Sequence, residues 1–248
     1  MANVVQSLPR IQENVAQRFR ARSRTRSALL LVALAVLLVC VLADIAWGPS
    51  NMPIAEVAAT IFNPWAADVQ TSVIVWDLRL PIAIMALMIG AMLGIAGAEM
   101  QTILNNPLAD PFTLGISSAA SFGAALAIVL QVNLVPFAGP FLVTANAFVL
   151  ALSTSLILYA CTRMRGVTAE TMVLVGIAML FTFNALLSLM QYGASEIQLA
   201  QIVFWMMGSL GRATWTKVGV CFAMLLIVLP YFMSRNWALT ALRLGDDK

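Results

Sequence analysis

Long stretches of this chain are apolar and carry no charge: residues 28–43 (ALLLVALAVLLVCVLA), 82–98, 111–162 and 171–195. A helix of about 20 apolar residues crosses the roughly 30 Å hydrocarbon core of a bilayer. That core holds no water to satisfy main-chain N–H and C=O groups, so such stretches must close their hydrogen bonds within helices. Composition agrees, with 61% hydrophobic and 10% charged residues, against about 25% charged in a soluble domain. A chain so poor in charge cannot cover a water-exposed surface. The reading is an all-α membrane protein of about six transmembrane helices, with a short periplasmic re-entrant or interfacial helix in addition.

Residues 1–27 form a polar, arginine-rich tail, 28–235 the transmembrane domain, and 236–248 the start of a cytoplasmic segment. Arg18, Arg20, Arg22, Arg24 and Arg26 precede an apolar run, as in a signal peptide. The run is long and no clean small-residue cleavage site follows, so it reads as a retained first helix, about 28–47. A loop with Pro49, Pro53, Pro64 and Trp65 follows, within which 53–63 can form an interfacial helix. Helix 2 is expected to start at Pro81, a good first-turn residue, and to reach about 104. Asn105 to Pro111 (NNPLADP) breaks it. Helices 3, 4, 5 and 6 are expected over about 114–132, 141–162, 169–191 and 216–234. Residues 197–210 are apolar but too short to cross, and Gly193 and Glu196 separate them from helix 5.

The net charge of +3 is a topology signal and not a nucleic-acid surface. With the N-terminus in the cytoplasm, the inner segments hold six arginines of the tail together with Arg163, Arg165, Arg235, Arg243 and Lys248. The outer segments hold Arg79, Arg212 and Lys217. That bias places the N-terminus inside.

Catalytic chemistry finds few parts here. The chain has no histidine, which removes most zinc and general-base chemistry. It shows no phosphate-binding Gly-rich loop of the Walker type and no GxSxG elbow. Cys40, Cys161 and Cys221 lie far apart within apolar stretches and read as small buried residues. No cofactor or metal is implied, and the chain is not expected to be an enzyme. Asp44 and Glu99 sit near helix ends. The more central polar groups are neutral: Asn146, Ser153, Thr154 and Ser155 in helix 4, and Asn184 and Ser188 in helix 5. They either line a path or bond neighbouring helices, and Asn184 is the costliest to bury. Small residues at Gly90, Gly94 and Gly97, and along Gly115 to Gly123, permit close helix packing. Nothing visible supplies energy for transport, which points to a separate motor subunit.

Five segments then occur in order: Trp76-Asp77-Leu78-Arg79-Leu80-Pro81; Gly97-Ala98-Glu99-Met100-Gln101-Thr102; Asn106-Pro107-Leu108-Ala109-Asp110-Pro111 with Leu114-Gly115-Ile116-Ser117-Ser118; Trp205-Met206-Met207-Gly208-Ser209-Leu210; and Leu242-Arg243-Leu244-Gly245-Asp246. Together they resemble the permease family of bacterial iron–siderophore, haem and vitamin B12 ABC importers, over about residues 28–248. The resemblance implies a ten-helix fold in the inner membrane, of which residues 28–248 match the N-terminal portion. It implies work as a dimer with a second or homologous permease copy, two cytoplasmic ABC ATPase subunits and a periplasmic substrate-binding protein. Arg79 matches the first family arginine that docks the binding protein. The second is Ile82 here, so Arg212 is the other docking candidate; the lesser reading of Arg79 is an interfacial snorkelling residue. Asn106, Pro107 and Leu108 match the family's cytoplasmic gate loop, to which Thr168 and Glu170 at the start of helix 5 contribute. The family's pathway raises the weight on Asn184 and Ser188. Leu242, Leu244, Gly245 and Asp246 match the start of the ATPase-coupling loop. Residues 1–248 alone are expected not to transport. Two rival classes stand beside the importer: an ion-coupled secondary transporter, which would need a buried carboxylate, and a membrane scaffold that transports nothing.

Overall fold

The structure, a computed structural model, describes residues 2–47 and 52–244, with side chains over 23–47 and 52–235. The described residues are helical wherever they are regular, with no strand. In order they form α1 (Ala2–Ala46), α2 (Ile54–Phe62), α3 (Val69–Val73), a π-helical turn (Ile74–Arg79), α4 (Leu80–Ile103), α5 (Ile116–Val129), α6 (Leu142–Thr162), α7 (Ala169–Gly193), α8 (Glu196–Met207) and α9 (Trp215–Leu244). Five segments are long and apolar enough to cross a bilayer: Ser23–Ala46, Val69–Ile103, Gly139–Thr162, Ala169–Gly193 and Trp215–Arg235. The chain divides into two units, residues 1–83 and 84–248.

In the first unit, Ile45, Ala46, Val57, Val75 and Ala83 form a buried core, flanked by Val41, Met52, Ile61, Trp76 and Leu80. The interfacial helix expected over 53–63 is present as α2. The polar tail differs from expectation: its backbone is helical from Ala2 and runs unbroken into α1. Arginine, alanine and glutamine are good helix formers, and charge prevents burial in lipid without preventing the helix. The expected start of helix 2 at Pro81 is also corrected. Helix begins at Val69, where the Asp68 side chain accepts a bond from the Gln70 N–H at 3.2 Å. Pro81 lacks the N–H that would bond four residues back, and its ring crowds that carbonyl. The turn just before it is widened to the π pattern, with the Leu80 N–H reaching the Val75 carbonyl. The chain passes the proline without breaking.

In the second unit, α5 lies against α6, α7 and α8. Its buried residues are all small: Ala119, Gly123, Ala124, Ala125 and Ala127. Gly123 touches α6 main chain directly, since a Cβ there would lie 2.6 Å from the Asn146 carbonyl oxygen. Phe122 and Phe183 stack at 6.0 Å between α5 and α7. Helix 3 was expected over 114–132, yet α5 has only 14 residues, about 21 Å of rise. The reason lies outside its own sequence. Asn146 of α6, 0% exposed, donates from Nδ2 to the Val132 carbonyl at 2.7 Å and accepts the Leu134 N–H at 3.1 Å. Gln131 at φ 54° turns the chain there.

The short separate helix expected over 197–210 is α8. Ser195 and Gln198 close its N-terminus as a reciprocal capping box. Gln198 Nε2 also donates to the last carbonyls of α5, Ile128 at 3.2 Å and Val129 at 3.4 Å. In α9, Val218 packs on Met85 and Met88 of α4. The helix expected to end near 234 continues to Leu244, because the residues after Arg235 are mostly good helix formers. Residues 236–244, where the cytoplasmic segment is expected to start, are helical backbone.

Candidate functional site

The break after α4 is an ordered loop, held by its own side chains. Asn105 takes φ 44°, a conformation that asparagine tolerates better than most residues. Asn106 Oδ1 accepts the Leu108 N–H at 2.9 Å, and the Asn106 N–H reaches the Gln101 carbonyl at 3.1 Å. Asp110 Oδ1 accepts the Thr113 N–H, and Thr113 Oγ1 donates to the Asp110 carbonyl, both at 2.8 Å. Gly115 closes the loop at φ 75°. A Cβ on it would lie 2.7 Å from the Leu180 main-chain nitrogen, so only glycine fits the angle and the approach together.

The loop is fixed to α7. Leu104, Ala109 and Leu114 bury with Leu158 and Met172, flanked by Val167, Ala169 and Val173. Leu114 presses on Gly176, where a Cβ would stand 2.5 Å from Leu114 Cδ2. The structure thus brings the expected gate loop and the first turns of α7 into one cluster. The cluster is made by the residues beside the expected ones. Leu108 is 84% exposed. Pro107, Thr168 and Glu170 are exposed and Asn106 half-buried. Thr168 caps α7, its Oγ1 accepting the Thr171 N–H at 3.4 Å.

Asn184 and Ser188 stand one turn apart on α7 and are both exposed, while Met172, Gly176 and Leu187 of the same helix are buried. Ser188 Oγ donates to the Asn184 main-chain carbonyl at 2.9 Å. The candidate path residues of helix 4 behave differently. Asn146 fastens the turn after α5, while Ser153, Thr154 and Ser155 donate to carbonyls one turn back in their own helix.

Of the docking candidates, Arg212 is exposed at the end of a short 3₁₀ turn, and its carbonyl accepts Lys217 Nζ at 2.6 Å. Arg79 is half-buried, with Nη1 donating to the Ile45 carbonyl and, at 3.0 Å, to the Ala46 carbonyl. The backbone of Leu242 and Leu244 is helical with side chains outside the described residues, and Gly245 and Asp246 lie outside them altogether. Among the described residues no group of three or more histidine, cysteine, aspartate or glutamate side chains could hold a metal ion. Sequence reasoning left Asn146 open between lining a path and bonding a neighbour, and missed the bonding of Trp76. Both are polar groups amid apolar residues, which signals a fixed partner without naming it.

Membrane-length helices, two of them packed on a short one of small buried residues, with an ordered loop seated on α7, define a multi-pass helical membrane protein. A model of the FecCD transport family matches residues 36–248, and the chain belongs to that family. It is 32% identical over 241 residues to a Methanocaldococcus jannaschii protein named as an ABC transporter permease, covering 94% of this chain and 68% of the other. It is 31% identical to the hemin transport system permease protein HmuU of Yersinia pestis, covering 91% and 66%. To the vitamin B12 import system permease protein BtuC of Yersinia enterocolitica it is 33% identical, covering 70% and 51%. A solved structure described as an inward-facing metal-chelate type ABC transporter superposes with a TM-score of 0.71 at 26% identity, covering 88% of this chain and 66% of that one. The chain thus spans between about half and two thirds of the length of these relatives.

Proposed function

We propose that this chain is the gate-bearing part of an importer permease that passes an intact iron–siderophore-type chelate inward across the bacterial inner membrane, N-terminus in the cytoplasm. ATP hydrolysis belongs to separate ABC ATPase subunits, delivery to a periplasmic substrate-binding protein, and a second permease copy completes the path. The observation that carries this reading is the loop Leu104–Gly115 seated on α7, a helix that exposes Asn184 and Ser188 among apolar residues. Irregular backbone at membrane depth survives only against protein or a water-filled cavity, and an exposed asparagine in lipid is costly. A loop pinned to the helix that bears Asn184 and Ser188 couples gate and path mechanically. Haem and vitamin B12 stand as alternative cargoes, because relatives are named for them.

The test is uptake into proteoliposomes holding the permease with its ATPase and binding protein. The expected result is ATP-dependent accumulation of a ferric siderophore above haem and cobalamin. A second reading, ion-coupled transport, has one observation in its favour: Glu99 Oε2 is buried without a hydrogen-bond partner among the described residues. Uptake that survives ATP depletion, collapses with the proton gradient and is lost in Glu99→Gln would establish that reading and overturn the importer.

A further inference from the structure

Every α-helix leaves its last carbonyls without partners, and the negative end of its dipole lies there. In the first unit the ends of α1 and α2 both receive side-chain donors from one place, beside the Met52 N–H that reaches the Ala46 carbonyl at 3.3 Å. Arg79 Nη1 donates to the carbonyls of Ile45 and Ala46, the last two residues of α1. Trp76 Nε1 donates at 3.1 Å to the carbonyl of Thr60, in the last turn of α2. Both donors spring from the π-helical turn Ile74–Arg79, three residues apart. Their targets are well enclosed: Ile45 and Ala46 are each 1% exposed and Thr60 2%. Val75, fully buried just before Trp76, packs into the core with Ile45, Ala46 and Val57.

We propose that Trp76 and Arg79 form a two-point clamp that caps the C-termini of α1 and α2, so that Arg79 supports partner docking by positioning main chain instead of by forming an ion pair. A guanidinium suits the α1 end, because it presents several donors in a fixed plane and carries the charge that a helix C-terminus favours. An indole suits the α2 end, because its single N–H reaches the carbonyl while the ring stays in the apolar core. The docking part of the proposal rests on the importer reading above; the capping part does not.

The capping part is tested by hydrogen–deuterium exchange on the full chain in lipid nanodiscs. Losing a charge-assisted bond to an enclosed carbonyl should free the last helical turn. Arg79→Gln should therefore raise exchange in residues 41–47 by about ten- to a hundredfold. Trp76→Phe, which keeps an aromatic ring and drops the N–H, should raise exchange in 54–63 by about three- to tenfold. Arg79→Lys, which keeps the charge and loses the fork, should fall between wild type and Arg79→Gln. Unchanged exchange at 41–47 in Arg79→Gln, or at 54–63 in Trp76→Phe, overturns the clamp. The docking part uses the purified periplasmic substrate-binding protein of the same system. The clamp expects Trp76→Phe and Arg79→Gln both to weaken docking while leaving its salt dependence unchanged. A shallower salt dependence confined to Arg79→Gln overturns positioning in favour of a direct ion pair. Docking absent from wild type refutes the docking part together with the importer reading, and leaves the exchange result to decide the capping part.

Discussion

Replacing Gly123 with alanine puts the α5–α6 contact to a quantitative test. The new methyl carbon would lie 2.6 Å from the Asn146 carbonyl oxygen and 3.0 Å from the Ala147 Cα. Both atoms are main chain, so no side chain can swing aside. Ordinary contact begins near 3.4 Å, so the helices must separate locally by about 0.8 Å. Overpacking of that kind costs about 1–3 kcal/mol, and the better helix propensity of alanine returns about 1 kcal/mol. Shifting Asn146 also strains its bonds to Val132 and Leu134. The expected net loss is about 1–2 kcal/mol, or a fall in unfolding midpoint of about 2–8 °C for a chain of this size. Thermal unfolding in mild detergent, followed by tryptophan fluorescence, reads it. Gly94→Ala is the control: a Cβ there has nothing within 4 Å, and the same propensity gain should leave stability unchanged or slightly raised. A Gly123→Ala protein as stable as wild type, or an equal loss in Gly94→Ala, would refute the close-contact argument.

Gly115→Ala combines a φ of 75° with a Cβ 2.7 Å from the Leu180 nitrogen; it should cost about 2 kcal/mol or more and increase protease cleavage within 104–115. Asn146→Leu strands the Val132 carbonyl and the Leu134 N–H, at about 1–3 kcal/mol, and hydrogen exchange should rise in residues 130–141. Asn184→Leu separates the two readings of that exposed α7 residue. A path-lining role predicts unchanged thermal stability with uptake by the assembled transporter reduced about tenfold or more, whereas a lipid-facing role predicts raised stability and full uptake.

The parts of this fold that depend on apolar length were legible in the sequence. The crossings at α1, α6 and α7 follow from uncharged stretches, and α8 follows from the interruption at Gly193 and Glu196. The break at 105–111 was legible because asparagine and proline act locally. What escaped depends on groups distant in the chain. α5 stops at Val129, where an asparagine on the next helix takes the main chain beyond it; Asn133, whose Oδ1 accepts the Val135 N–H, marks a turn locally, but nothing in residues 130–134 names that partner. The helix through Pro81 escaped for a related reason: proline was read as a start, while a widened turn upstream accommodates it inside a longer helix. In the loop after α4, the motif marked Asn106 to Leu108, yet the fastening is done by Leu104, Ala109, Leu114, Met172 and Gly176, whose apolar character is shared with most of the chain.

The shortness of α5 bears on how this protein enters a bilayer. About 21 Å of helix cannot carry both of its ends to the headgroups of a 30 Å core. Released sideways into lipid by itself, it would expose the carbonyls of Ile128, Val129 and Val132 to hydrocarbon. Those carbonyls are satisfied by Gln198 of α8 and Asn146 of α6, which are synthesised after it. Insertion of α5 is therefore expected to await α6 to α8, and crosslinking of α5 to the translocation machinery in chains stalled before and after α8 would read it: equal release at both lengths refutes the argument.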